Sequence, residues 1–208
     1  MDSIKPIKWI KQIKLCTSCR PKAKPKWRHP NIGLFFGSFN PIHKGHIAIA
    51  NYFVCNNYVD EVWFVISPQS PFKQHFIDDE TSGTAHSSEY FLSTEKRLQL
   101  LNAAIEDFPK LMICHIELSL PTPSYTIDTL KELSKIYHDE NFILIMGGDQ
   151  LKDFKLWKDW QTILDDYSVY VYPRSNEDSQ YLLPKMKMLD DAPLLDISST
   201  QIRAGILI

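Results

Sequence analysis

Ile32-Gly33-Leu34-Phe35-Phe36 runs directly into Gly37-Ser38-Phe39-Asn40-Pro41-Ile42-His43-Lys44-Gly45-His46, and an apolar-periodic segment, Ile47 to Val54, follows. An apolar run, a turn of small residues and proline, and a periodic stretch read as strand, tight loop and helix. The N-terminus of such a helix offers unpaired amides and a partial positive charge, which suits phosphate. Gly37 and Ser38 let an anion approach the backbone closely. His43 and His46 add N–H donors, and positive charge when protonated. The plainer reading is a capped turn with two incidental histidines.

Outward from this junction, the same alternation continues. Apolar runs at Ile32–Phe36, Glu61–Ile66, Leu111–Ile116, Phe142–Met146, Ser168–Tyr172 and Lys187–Leu189 read as strands. His46–Asn56, Thr94–Asp107, Thr126–Tyr137 and Trp157–Leu164 read as helices, with a last turn at Ser199–Ala204. Buried strands alternating with helices imply an α/β fold, Rossmann-like and doubly wound, with a mainly parallel sheet and helices on both faces. In such folds a ligand sits beyond the carboxyl ends of the strands, at the switch point in strand order. Pro68 to Ser93 is polar and long, and is expected to be a mobile loop or lid.

A second anion site is readable in Ile197-Ser198-Ser199-Thr200-Gln201-Ile202-Arg203. Ser198 or Ser199 can cap a helix, and Arg203 then lies one turn on, on the side of Ser199 or Thr200. An ordinary capped helix is the simpler account of that segment alone.

Taken together, the two segments resemble the HxGH nucleotidyltransferase superfamily. Pro123-Ser124-Tyr125-Thr126-Ile127-Asp128-Thr129-Leu130 and Met146-Gly147-Gly148-Asp149-Gln150-Leu151, followed by Trp157 and Trp160, narrow the resemblance to the nicotinate-nucleotide adenylyltransferases. It runs from about Ile32 to Arg203, with Asn40 standing where many members carry aspartate. The resemblance implies transfer of an adenylyl group from ATP to nicotinate mononucleotide, in NAD biosynthesis. His43, His46 and Arg203 would be catalytic. Gly37, Ser38, Phe39, Gly147, Asp149, Arg174, Ser199 and Thr200 would complete the ATP site, with Asp149 on the ribose. Lys73, Tyr125, Thr126 and Trp157 would serve the acceptor, Trp157 by stacking on its ring. Magnesium would arrive as MgATP, with no protein metal site. Two rivals stand beside this reading: a related enzyme using nicotinamide mononucleotide or another phosphate acceptor, and a non-catalytic nucleotide binder.

Composition bounds the alternatives. A chain of 208 residues, 44% of them apolar, can bury one sizeable core. Residues 1–30 hold nine lysines and arginines against Asp2, a net +8, so the remainder carries −10 of the overall −2. An acidic body argues against general nucleic-acid binding. Residues 1–31 read either as a disordered basic extension or as an RNA- or membrane-surface anchor, with the domain proper at 32–208. Cys16 and Cys19 form a lone C-x-x-C, weak evidence for metal. Cys55 and Cys114 fall in apolar-periodic segments and read as core thiols. With no disulfide framework, no apolar run of about 18 residues and no secretory signal, a reducing cytoplasm is expected. A homo-oligomer is left open. The short tail after Arg203 reads as a truncated C-terminal end, expected to loosen the second anion site.

Overall fold

The computed structural model describes residues 29–68, 92–195 and Ser199. Ten regular elements follow the alternation expected: β1 (Asn31–Gly37), α1 (Lys44–Cys55), β2 (Glu61–Ile66), α2 (Thr94–Ile105), β3 (Leu111–Cys114), α3 (Thr126–Ile136), β4 (Asn141–Gly147), α4 (Trp160–Asp166), β5 (Ser168–Tyr172) and β6 (Met186–Met188). The strands form one sheet in the order β3-β2-β1-β4-β5-β6, and every neighbouring pair is parallel. β1 therefore pairs with β2 on one side and β4 on the other, with Leu34 facing both Trp63 and Leu144. That reversal of strand order is the switch point.

Both sheet faces are covered, and the period-two alternation of the strands sorts side chains between them. Phe35, Val62, Phe64, Ile143 and Ile145 point into one core with Ile47, Ala50 and Phe53 of α1 and Leu101 and Ala104 of α2. Ile32, Leu34, Val65, Leu144 and Met146 point into the other, with Ile127, Leu130 and Leu133 of α3 and Ile163 and Leu164 of α4. A fully buried Leu, Ile or Phe contributes about 1.5–3 kcal/mol of transfer free energy, so these two layers supply the main driving force.

The differences from the sequence reading are local. β3 stops at Cys114 rather than Ile116, because the chain tightens into a 3-10 turn, Ile116–Leu118. The helix expected over Trp157–Leu164 starts only at Trp160, as α4; a 3-10 stretch, Gly148–Leu156, precedes it, and Trp157 caps the end of that stretch. Asp159 between them has φ 50°, in the left-handed region, which breaks the helical run. α1 starts at Lys44, two residues before His46. Cys114 is buried as expected, but Cys55 is half-exposed at the end of α1. The basic extension through residue 28, with Cys16 and Cys19, lies outside the described residues. So do residues 69–91 of the expected lid and all of the last turn except Ser199. Among the described residues, no helix is long and apolar enough to cross a membrane.

Candidate active site at the switch point

The β1–α1 junction folds as a strand feeding a helix N-terminus, and its side chains explain the turn. Phe39 has φ 44°, a left-handed conformation that costs a non-glycine residue on the order of 1–3 kcal/mol. Its ring offsets this by burial, packing edge-on to Phe35, Phe64 and His46, with centroids 5.8, 5.2 and 5.1 Å away. Phe39 thereby braces His46.

His43 is the N-cap of α1. Its backbone amide donates to His46 Nδ1 at 3.3 Å, so Nε2 carries the His46 proton. The two rings stack with centroids 3.7 Å apart. His43 is only 2% exposed. Burial, seconded by the Arg174 guanidinium, brings its pKa down from 6.5 to about 4. Where the sequence allows charge on protonation, the folded site keeps His43 neutral at pH 7. Its Nδ1 is buried with no hydrogen-bond partner among the described residues.

A cavity of about 600 Å³ opens above the carboxyl ends of the strands. Of the residues singled out from the sequence, Gly37, Ser38, Phe39, His43, His46, Tyr125, Thr126, Gly147, Asp149, Trp157, Arg174 and Ser199 all line it. Ser199 reaches back to the first motif, where its hydroxyl donates to the Pro41 carbonyl at 3.2 Å. Lys73, Thr200 and Arg203 lie outside the described residues.

Gly147 and Gly148 close β4 at the cavity wall. A Cβ on Gly148 would collide with the Asp178 carboxylate, so only glycine fits there. Asp178 folds the turn beyond β5, accepting from the amides of Arg174 and Ser175 at 2.6 and 2.8 Å and from the Ser175 hydroxyl at 2.7 Å. Asp149, in the first turn after Gly147, faces the cavity; enclosure by the walls pushes its carboxyl up, and Arg174 pulls it back. Gly147 is the N-cap of that turn.

At the other end, Tyr125 is the N-cap of α3, and no side chain caps the helix. Tyr125 and Thr126, at the start of this helix, line the cavity. Trp157 packs against Phe154, centroids 5.2 Å apart, while still lining the cavity. Trp160 is partly buried against the same core.

Three residues at the site escaped the sequence reading. Lys158 lines the cavity, its ammonium 5.0 Å from the Tyr125 ring centroid and 2.7 Å from Asp128 Oδ2. Glu117, carried inward by the 3-10 turn after β3, is 2% exposed. Arg97 of α2 is 1% exposed and donates to the carbonyls of Ser38 at 2.7 Å, Ser67 at 2.9 Å and Leu92 at 3.2 Å, and to the Thr94 hydroxyl at 2.9 Å. It ties the β1–α1 loop to the end of β2. Arg97 falls in line with Leu101 and Ala104 at helical spacing, a buried stripe that marks it as inward-facing. Glu117 has no such signal.

The cytidylyltransferase-like family matches residues 34–205. A probable nicotinate-nucleotide adenylyltransferase of Cytophaga hutchinsonii is 45% identical over 173 residues, 83% of either chain. The chain belongs to the nicotinate-nucleotide adenylyltransferase family. A second probable member, from Flavobacterium psychrophilum, is 40% identical over 178 residues, 84% of this chain and 86% of its own. The fold is also that of the Plasmodium falciparum nicotinic acid mononucleotide adenylyltransferase complexed with NaAD, at TM-score 0.66 and 18% identity, covering 85% of this chain and 83% of that one.

Proposed function

We propose that this chain transfers the adenylyl group of MgATP to nicotinate mononucleotide, giving nicotinate adenine dinucleotide and pyrophosphate in NAD biosynthesis. The observation that carries the reading is the convergence of the His43–His46 pair, Asp149, Arg174 and the open N-terminus of α3 on one cavity at the switch point. The curated relatives bear the name of that activity.

A mononucleotide phosphate oxygen attacks the α-phosphorus of ATP in line, and the bond to the leaving pyrophosphate breaks. The nucleophile is already an anion, so no side chain need be deprotonated to create it. Catalysis then consists of holding two anions in register and stabilising charge on the transferring phosphoryl group. His46 donates from Nε2 to the α-phosphate, and neutral His43 adds a hydrogen bond rather than a charge. Gly37, Ser38 and Phe39 shape the backbone around the nucleotide. Asp149 accepts from the ribose hydroxyls, with Gly147 against the nucleoside and Arg174 on a phosphate. Ser199, Thr200 and Arg203 hold the pyrophosphate, and Lys73 lies near the phosphates; for Thr200, Arg203 and Lys73 the support is the family resemblance alone. The nicotinate carboxylate meets the amides of Thr126 and its neighbour at the α3 N-terminus, while Trp157 stacks on the ring. Magnesium comes with the substrate ATP.

The test is pyrophosphate release from MgATP with nicotinate mononucleotide and, side by side, with nicotinamide mononucleotide. Faster turnover of the acid is expected. Equal or reversed preference overturns the acceptor, and no release with either overturns the reaction.

A further inference from the structure

Among the described residues, two carboxylates are buried, and they do different things. Asp178 spends its oxygens on its own turn, bonding Arg174 and Ser175, four and three residues away. Glu117 reaches across segments. It accepts from the Ser124 hydroxyl at 2.9 Å on one oxygen and from the Thr129 hydroxyl at 2.9 Å on the other. The Ser67 side chain, at the end of β2, makes a third hydrogen bond to it. These partners belong to the end of one strand, the loop before α3 and the first turn of α3. Glu117 also lines the acceptor end of the cavity.

The proposed reaction gives a carboxylate no proton to take. Nor can the Ser124 and Thr129 hydroxyls donate to a ligand, since their hydrogens point at Glu117. The network serves geometry instead. It clamps both sides of Tyr125 and Thr126, leaving their backbone as the surface the ligand meets. We infer that Glu117 is a positioning residue for the acceptor nucleotide, fixing the entry of α3 against the end of β2 so that the uncapped helix amides face the acceptor's carboxylate. This rests on the functional reading above. It also explains why serine and threonine occupy those places in Ser124-Tyr125-Thr126-Ile127-Asp128-Thr129. Burial pushes the Glu117 carboxyl up, and the three hydroxyl hydrogen bonds pull it only part of the way back.

The experiment measures KM for nicotinate mononucleotide and for MgATP separately, in the unmutated chain and in Glu117→Ala, Glu117→Gln and Ser124→Ala. Glu117→Ala should raise the acceptor KM about tenfold and leave the MgATP KM within about twofold, the loss of a buried hydrogen-bond network confined to one subsite. Glu117→Gln, which keeps the shape and can still bond the hydroxyls, should recover most of the affinity. Ser124→Ala should raise the acceptor KM about threefold, again alone; if Glu117→Ala does not fold, this variant carries the same test. A merely structural role would lower the active fraction without separating the two KM values. An active chain whose variants keep the acceptor KM, or raise both alike, overturns this inference only. An unmutated chain that releases no pyrophosphate overturns the functional reading and this inference with it.

Discussion

The two ends of the cavity solve opposite problems with buried polar groups. At the β1–α1 end, His43 is buried with its Nδ1 unmet by any described residue, stacked 3.7 Å from His46. At the α3 end, both Glu117 oxygens are taken up by hydroxyls, and no side chain caps the helix. Leaving a buried donor or acceptor unmade costs about 1–3 kcal/mol, so a polar atom enclosed in this way is uncommon. The second end is internally satisfied. In the proposed reaction one end bonds the ligand with side chains and the other presents backbone.

The sharpest break in that contrast would come from His46→Ala. Turnover should fall by about 10²–10³, the cost of removing one preorganised donor to a charged transition state. Pyrophosphate release measures it, with circular dichroism checking the fold. A loss under tenfold would remove His46 from the reacting phosphate.

Next in size is a pH effect on stability. His43 has a folded pKa of about 4 against 6.5 when unconstrained, so the unfolded chain takes up its proton first. Stability should therefore be undiminished above pH 6.5 and fall as pH drops toward 4, by about 3 kcal/mol from this residue. Glu117, held above its ordinary range, works in the opposite sense, so the comparison must be by difference. Urea unfolding at pH 7 and pH 4.5 should show that His43→Asn, a good N-cap, abolishes this part of the slope. An identical slope in the variant would mean His43 is not held neutral by the fold.

Gly148→Ala comes third. Its Cβ would press on the Asp178 carboxylate and disturb the Arg174 turn, at about 2 kcal/mol of stability. The MgATP KM should rise and the acceptor KM stay. Trp157→Ala is the smallest and the mirror image: an acceptor KM up about tenfold with the MgATP KM unmoved. If either variant moved both constants equally, the cavity would not divide into two halves.

Much of the donor side was legible because it is local. Gly37 to His46 is contiguous, and a strand–loop–helix junction presents its amides whatever surrounds it. Asp149 could be placed from its motif, but the 3-10 course of Gly148–Leu156 could not, since nothing in the apolar spacing separates it from an α-helix. Trp157 therefore lines the cavity from the end of a 3-10 stretch and not from the helix expected. Arg97 was readable from its buried stripe and was missed because a charged residue on a polar helix is expected outside. Its bond to Ser38 spans 59 positions, and no periodicity reports such a pairing.

Read alone, the chain settled the order of strands and helices and the place of the β1–α1 loop, because alternation and a helix N-terminus depend on near neighbours. Tertiary packing decided the rest: that His43 is neutral, that Arg97 bonds the β1–α1 loop, and that Glu117 finds hydroxyls from three segments. Burial and long-range hydrogen bonding are properties of what surrounds a side chain, and that is set only when the sheet and its helices have closed around it.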